Sequence, residues 1–336
     1  DINGGYALGF RAAARAITHS GTQVNHLWAA PDGVGGAAII WYGSNPKDST
    51  VRVLALRLVR FDAQGDIPPT FSDTGVVVSS IAPAAMVVGD GLGGCYVAWE
   101  ENRGTSTTDI VAQHYNDFGA PLWTPFGSPT GRIVCAAVGI KKLLALHEDG
   151  AGGAYVVWAD SRTPMTFPLY VMRLTPAGVA GTPWTSNGVR ITAITPDIIR
   201  FVGSAGTPAG GLWLAWCDIG VPSPFAGQQI ESNANLSWGA SGAIIAATTP
   251  ARAEFVPASS GDVFVSWGGA DIRCTRLNST GVRLWPESVG RLLMTPPTST
   301  VNTRAVADGA AGQRLAWSFD NAGQSDVNIL RVDGGG

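Results

Sequence analysis

The stretch Asp32-Gly-Val-Gly-Gly-Ala-Ala-Ile-Ile-Trp41 decides the fold, because the same sequence pattern recurs at Asp90–Trp99 and at Asp149–Trp158. Each copy combines an Asp-Gly turn, a glycine pair, alternating apolar residues and a final tryptophan. Looser copies end at Trp216, Trp267 and Trp317. Six copies at a period of about 50 to 59 residues indicate a repeat architecture.

One period of this repeat reads as four short strands. In the third copy they are Leu143–Leu146, Ala154–Trp158, Leu169–Leu174 and Val189–Thr192. Strands of about five residues, bounded by Gly, Pro, Asn and Asp, are expected for one propeller blade. A solenoid is the alternative, but its rungs are usually shorter. The sequence therefore predicts an all-β, six-bladed β-propeller of four-stranded antiparallel blades.

The two ends of the chain indicate how the ring closes. The sixth copy runs to Val332 without a fourth strand, whereas Phe10–Thr18 matches the fourth-strand segments Trp184–Thr192 and Trp285–Leu292. In all three, an aromatic residue precedes an aliphatic one by seven positions. We expect this N-terminal strand to complete the last blade and remove an unpaired edge. Donation of the same strand to a neighbouring chain, giving a swapped oligomer or filament, is the alternative.

The repeats divide one predicted propeller domain, 1–336, into consecutive parts. They are the closing outer strand of blade 6 at 1–22, blade 1 at 23–80, blade 2 at 81–138, blade 3 at 139–195, blade 4 at 196–248, blade 5 at 249–297, and the first three strands of blade 6 at 298–336.

Composition agrees with a large folded core. Of 336 residues, 45% are apolar and 14% charged, which is less charged than a typical cytosolic domain. Besides the six repeat tryptophans, four head the outer strands, and we expect all ten to pack inside rather than stack on sugars. These four are Trp123, Trp184, Trp238 and Trp285. A net charge of −3 without a Lys/Arg cluster argues against a nucleic-acid partner.

Location and cysteine chemistry follow from simple features. No apolar run approaches 18 residues, so no membrane span is predicted. The start at Asp1, with no Met and no signal peptide, fits a mature or trimmed chain. With the low charge and the Thr, Ser and Gly richness, it predicts an extracellular or cell-surface protein. The four cysteines show no CxxC spacing, and we expect buried free thiols rather than disulfides.

The pattern Asp-Gly-x-Gly-Gly-x-x-Val-x-Trp-x-Asp-x-Arg is best preserved at Asp149–Arg162 and Asp90–Gln113. It resembles the propeller repeats of large secreted and surface proteins of bacteria, over essentially the whole chain. The fourth and fifth blades keep little beyond the tryptophan. The resemblance implies a propeller and an adhesion, binding or scaffold role.

Two turns, Asn116–Trp123 and Asn278–Trp285, are similar to the Asp-box of sialidase-type propellers. They carry one inserted residue before the tryptophan and lack the leading Ser-x-Asp. No sialidase activity is therefore implied.

A set of cations shares one position in the repeat. Counting back sixteen residues from the second-strand tryptophan gives Lys142 and Arg200, and a one-residue deletion in the fifth blade adds Arg252. His26 and Arg304 are close in register. These side chains could ring the channel mouth and accept an anionic sugar or carboxylate. Strand alternation could equally direct some of them into blade interfaces or solvent.

The loops that follow the second strands hold a second set of charged groups: Asp48, Glu100, Glu101, Arg103, Asp160, Arg162, Asp218 and Asp320. Paired carboxylates at the right separation can hydrolyse glycosides. An acid one or two residues after a strand-ending tryptophan more commonly caps a turn or pairs with a nearby arginine, as Asp160 could with Arg162. We favour this structural interpretation.

Other catalytic and metal-binding patterns are missing from the sequence. It has no Gly-x-Ser-x-Gly elbow, no His-Glu-x-x-His, no glycine-rich phosphate loop and no Asp-x-Asp-x-Asp calcium loop. The four histidines fall in four different blades, and His147 is expected in a solvated hairpin. The sequence therefore predicts neither a cofactor nor a metal.

Two functional classes remain. The favoured one is an extracellular, non-enzymatic binding or structural module, such as a subunit of a surface assembly or filament. The alternative is a glycoside hydrolase or lyase that acts on polysaccharide through its axis-facing loops. A deep polar pocket with two carboxylates would favour the enzyme, and exposed strand edges would favour assembly.

Overall fold

A computed structural model describes residues 24–43, 54–71, 74–82, 84–104, 106–125, 128, 130–163, 166–192, 199–218, 224–258, 260–296, 300–321 and 324–335. Across these ranges every regular element is a β-strand. No helix in them is long and apolar enough to cross a membrane.

The strands are numbered in chain order. They are β1 Val24–Pro31, β2 Ala37–Gly43, β3 Ala55–Phe61, β4 Val76–Ser79, β5 Ala85–Gly89, β6 Cys95–Asn102, β7 Thr108–Tyr115, β8 Arg132–Cys135, β9 Lys141–Glu148, β10 Ala154–Asp160, β11 Leu169–Leu174, β12 Val189–Arg190, β13 Ile199–Gly206, β14 Leu212–Asp218, β15 Phe225–Ile230, β16 Ala243–Ala246, β17 Ala253–Pro257, β18 Val263–Trp267, β19 Ile272–Leu277, β20 Arg291–Met294, β21 Thr300–Ala307, β22 Gln313–Asn321 and β23 Gln324–Val332.

Consecutive strands pair as antiparallel meanders. Five sheets have four strands, in the orders β1-β2-β3-β4, β5-β6-β7-β8, β9-β10-β11-β12, β13-β14-β15-β16 and β17-β18-β19-β20. The sixth, β21-β22-β23, has three strands within the described part of the chain. Repeated four-stranded meanders of this kind are propeller blades, which confirms the predicted all-β propeller class. The predicted closing strand at 1–22 lies outside the described residues.

Contacts divide the chain into two compact units, one of residues 1–162 with 171–188 and one of 163–170 with 189–336. The core of the first unit is built on the fully buried Trp41 and Trp99. Phe225, Val265 and Trp267 are central to the core of the second. Both cores are assembled from the apolar alternation that marks the repeats.

The aspartate of each clear repeat ties a hairpin turn to the third strand of its sheet. One oxygen of Asp149 accepts the backbone N–H groups of Ala151 and Gly153, at 2.8 and 2.7 Å. The other lies 2.6 Å from Nη2 of Arg173 on β11. We call this arrangement the aspartate clamp. The same clamp joins Asp32 to Arg60, Asp90 to His114 and Asp308 to Arg331.

The glycine pair of the repeat is needed for two different reasons. Gly152 has a φ of 83°, a left-handed conformation that favours glycine. Gly153 has no such φ, but a Cβ there would lie 2.2 Å from the carbonyl oxygen of Leu174. The second glycine therefore permits close approach of the third strand.

The second-strand tryptophans are buried, as predicted. The indole rings of five of them pack directly against a glycine. A Cβ at Gly188 would lie 2.3 Å from the ring of Trp158, so the ring fills the space that a side chain would need. The same relation joins Trp41 to Gly75, Trp99 to Gly131, Trp216 to Gly242 and Trp267 to Gly290. Strand two thereby packs against the start of strand four. The four outer tryptophans are also buried, and Trp123 Nε1 donates to the carbonyl of Pro176 at 2.8 Å.

The cysteines and one histidine test two further expectations. All four cysteines are free and buried, as predicted. Burial raises the pKa of Cys135 to about 11 and that of Cys274 to about 12, so both thiols are held unreactive. The solvated position expected for His147 is wrong. This residue lies within β9 opposite the fully buried Tyr155, and burial lowers its pKa to about 4.

We expect Gly153→Ala to lower the free energy of unfolding by about 1–3 kcal/mol, because its Cβ would overpack the turn. Urea denaturation followed by tryptophan fluorescence measures this. Gly269→Ala is the matched control, since a Cβ there meets nothing within 4 Å and should change stability by less than about 0.5 kcal/mol. Equal midpoints for the two variants would contradict the close-approach argument.

Candidate functional site

Charged side chains gather at one end of the strands β6 to β10 in the first unit. The C-terminal ends of β6, β8 and β10 lie beside the N-terminal ends of β7 and β9, as antiparallel neighbours require. We call this region the charged end. Its members are Glu100, Glu101, Arg103, Asp109, Lys141, Lys142, Asp160 and Arg162.

Glu100 connects the second sheet to strand β9. Its Oε1 accepts the backbone N–H of Leu143 at 2.9 Å, and its Oε2 lies 3.4 Å from Nζ of Lys142. The side chain of Glu100 is buried, whereas that of Lys142 is 62% exposed. The carboxylate therefore anchors a strand, and the cation faces solvent.

Glu101 has an equally structural set of partners. Its Oε1 accepts hydrogen bonds from Trp99 Nε1 and from Ser128 Oγ, both at 2.9 Å. The indole of the repeat tryptophan is thus satisfied by an acid two residues later. Asp160 does the same for Trp158, at 3.1 Å.

Asp109 and Lys141 are ionisable residues that are fully buried. The Asp109 carboxylate pairs with Arg103, and no described residue donates a hydrogen bond to its Oδ1. Burial raises the pKa of Asp109 above its ordinary value, against the opposing charges of Arg103 and Lys141. Nζ of Lys141 donates to the carbonyl oxygens of Gly139, at 2.9 Å, and of Ala137. Neither residue was predicted, because no spacing in the sequence marks it.

Asp160 pairs with Arg162, as the structural interpretation of this motif expected. Nη2 of Arg162 lies 2.6 Å from Oδ2 of Asp160 and also donates to the carbonyl of Asn187 at 2.9 Å. Burial alone would raise the pKa of Asp160, but hydrogen bonds from Arg162 and Trp158 outweigh it and hold the pKa below its ordinary value. Asp160 is therefore an ionised group that holds its loop.

The carboxylates of the charged end are inaccessible to solvent. Glu100, Glu101, Asp109 and Asp160 are at most 7% exposed. A carboxylate that cleaves a glycosidic bond must reach the sugar or its attacking water. The groups that face solvent at this end are the cations Lys142 and Arg103, with side chains 62% and 48% exposed.

The predicted cations occupy related positions on the first strands. His26, Lys142 and Arg200 each pair with the residue directly after a second-strand tryptophan, namely Tyr42, Ala159 and Cys217. Arg304 instead pairs with Ala316, before the tryptophan, and Arg252 precedes β17. His26 stacks on Trp28, with ring centroids 5.4 Å apart.

Within the second unit, two predicted cations meet at one acid. Nε of Arg252 lies 2.9 Å and Nη1 of Arg304 3.2 Å from Oε1 of Glu254. The two arginine side chains are 55% and 57% exposed, so this trio carries a net positive charge at the surface. Arg200 is occupied differently, because its Nη2 donates to the carbonyls of Thr249 and Pro250 at 3.1 and 3.0 Å.

The remaining predicted groups are not drawn into either cluster. Asp218 ends β14 opposite Ile199. Asp48 and the side chain of Asp320 lie outside the described residues. Among the residues that the structure describes, no group of three or more His, Cys, Asp or Glu side chains could hold a metal ion.

Comparisons with known proteins found similar solved structures, all of low sequence identity. No protein-family model and no curated protein matches the chain. A protein of unknown function from Dyadobacter fermentans is similar over 94% of this chain and 95% of its own, with 11% identity and a TM-score of 0.46. An α-L-arabinanase of Penicillium chrysogenum, complexed with arabinobiose, covers 91% and 93%, with 14% identity and a TM-score of 0.45. A soluble aldose sugar dehydrogenase of Escherichia coli covers 93% and 99%, with 14% identity and a TM-score of 0.45.

We expect Asp160→Asn to lower the free energy of unfolding at pH 7 by about 1–3 kcal/mol, since it removes the partner of the partly buried Arg162. Because the folded pKa of Asp160 is depressed, its contribution is present above the unfolded pKa of about 3.9 and is lost as pH falls below it. The difference from wild type should therefore shrink between pH 7 and pH 3 in urea denaturation. Asp117→Asn is the control, and a difference independent of pH would refute the ionic role.

Proposed function

We propose that the chain is a non-enzymatic binding and structural module of the extracellular or cell surface, and a subunit of a surface assembly. The observation that carries this is the state of the charged end, whose four carboxylates are at most 7% exposed. They hold a strand, two indoles and two arginines. The resemblance of the Asp-Gly repeats to bacterial surface propellers supports the same role.

Binding is assigned to the exposed cations rather than to the acids. Arg252 and Arg304 share the single carboxylate of Glu254, and their side chains are more than half exposed. A guanidinium pairs well with a carboxylate or sulfate oxygen. The ligand class proposed for this trio is therefore an anionic polysaccharide.

Hydrolysis of a polysaccharide is the second candidate, and Asp109 is the observation that favours it. A carboxyl group whose pKa is raised by burial has the property of a general acid. Its complete burial and its pairing with Arg103 argue against contact with a sugar.

Turnover assays distinguish the two candidates. Incubation with arabinan, polygalacturonate and a sialylated glycan should release no reducing ends or sialic acid above the level seen with Asp109→Asn. Release that Asp109→Asn abolishes and Asp117→Asn preserves would establish the hydrolase instead.

Binding to immobilised polygalacturonate should weaken about three- to tenfold in Arg304→Gln, a loss of about 0.6–1.4 kcal/mol. Surface plasmon resonance measures this, and the affinity should fall further as salt is added, since exposed charges are screened. Arg283→Gln removes the same charge from a different surface and should bind like wild type. Equal losses in both variants would show only a net-charge effect and remove the trio as a site.

A further inference from the structure

Glu254 lies between two exposed arginines of the second unit. It is part of β17, whereas Arg304 is part of β21, the first strand of the sixth sheet. Oε1 of Glu254 is 2.9 Å from Nε of Arg252 and 3.2 Å from Nη1 of Arg304. One carboxylate oxygen is therefore shared by two guanidinium groups, which the fifth and sixth repeats supply.

The partners of Glu254 differ from those of the aspartates in the clamps. Oδ1 of Asp149 accepts two backbone N–H groups, and the side chain of Asp149 is fully buried. Among the described residues, Glu254 accepts hydrogen bonds from Arg252 and Arg304 alone, and its side chain is 18% exposed. The carboxylate of Glu254 is thus a counter-ion of the two arginines and fixes no hairpin turn.

This contact holds both arginines weakly and leaves most of their donors unused. The two side chains are 55% and 57% exposed, and exposed ion pairs contribute little because water competes for both partners. In the part of the chain that the structure describes, Nη1 and Nη2 of Arg252 and Nε and Nη2 of Arg304 have no hydrogen-bond partner. A carboxylate or sulfate of a ligand can therefore pair with either guanidinium through two adjacent N–H groups.

Glu254 weakens the attraction of these arginines for an anion in two ways. Its Oε1 already accepts an N–H group of each arginine, and its negative charge lies next to any anion that both arginines bind. Removal of this charge would raise the trio from one net positive charge to two.

We propose that Glu254 is an internal competitor of the ligand, which keeps the affinity of Arg252 and Arg304 for an anionic polysaccharide low. Weak single contacts suit a surface module that meets a polymer at many copies. Linked weak sites add up to strong binding of the polymer, while each contact stays reversible. The inference rests on the proposed anion-binding role of the trio and names what limits it.

Glu254→Gln tests the proposal, because glutamine keeps the size of the side chain and removes its charge. Binding of the full chain to immobilised polygalacturonate, measured by surface plasmon resonance, should become about two- to fivefold tighter, as expected for release of an exposed ion pair. The affinity should also fall more steeply with added salt, since one more positive charge faces the polymer. Glu254→Ala should show the same gain, so the result does not depend on how glutamine packs. Unchanged or weaker binding in both variants would overturn the proposal.

Glu287→Gln is the matched control for the change in charge. It removes a carboxylate from another arginine, since Oε1 of Glu287 is 3.0 Å from Nε of Arg291. Arg291 also lies over the ring of Trp285 and donates to the carbonyl of Gly335, so it remains engaged. Glu287→Gln should bind like wild type. An equal gain in the Glu254 and Glu287 variants would reduce the effect to net charge and overturn the proposal.

A second background separates this inference from the proposed function. If Glu254 competes for Arg304, its removal should gain less affinity in the Arg304→Gln variant than in wild type. A gain of the same size in both backgrounds would overturn the proposal, because the competition would not involve Arg304. Wild-type binding that Arg304→Gln weakens, with no gain in either Glu254 variant, would overturn the inference and leave the binding site in place. No binding by wild type or by either Glu254 variant would overturn both.

Discussion

The aspartate clamp is the interaction on which four of the six sheets depend. It fixes the first hairpin through two backbone N–H groups and fixes the third strand through a cation, as Asp149 does with Arg173. In the fourth sheet Thr207 replaces the aspartate, and its hydroxyl accepts the N–H of Gly211 at 2.8 Å. The turn is kept there without the ion pair. This explains why the fourth copy of the repeat looks weak in sequence and still forms four strands.

The sequence predicted those features that depend on residues close together in the chain. The period predicted the sheets, and the spacing of Asp160 and Arg162 predicted their ion pair. It failed where chemistry depends on distant residues. No pattern in the sequence indicated that Gly188 leaves room for the ring of Trp158. Arg252 and Arg304 meet at Glu254 although about fifty positions separate them in the chain. The repeat register grouped the two arginines, but no pattern marked Glu254 as the acid between them.

The charged end illustrates why residue type alone does not identify an active site. Carboxylates, lysines and arginines occur there together, as they do in many hydrolases. They differ from catalytic groups because their oxygens already accept hydrogen bonds. Glu100 accepts one from a backbone N–H, and Glu101 accepts one from an indole and one from a hydroxyl. Buried acids with full partners stabilise loops. Groups left to meet a ligand are cations, which shifts the chemistry from bond cleavage to recognition.

The aspartate clamp also bears on how the protein is made. Each clamp joins residues at most 28 positions apart, so a sheet needs nothing from later repeats to complete its own ties. A chain that emerges N-terminal end first can therefore fix one sheet while the next is still being synthesised. Low sequence separation of this kind favours rapid folding and shortens the exposure of unpaired strands to aggregation. The repeat is thus a unit of biogenesis as well as of architecture.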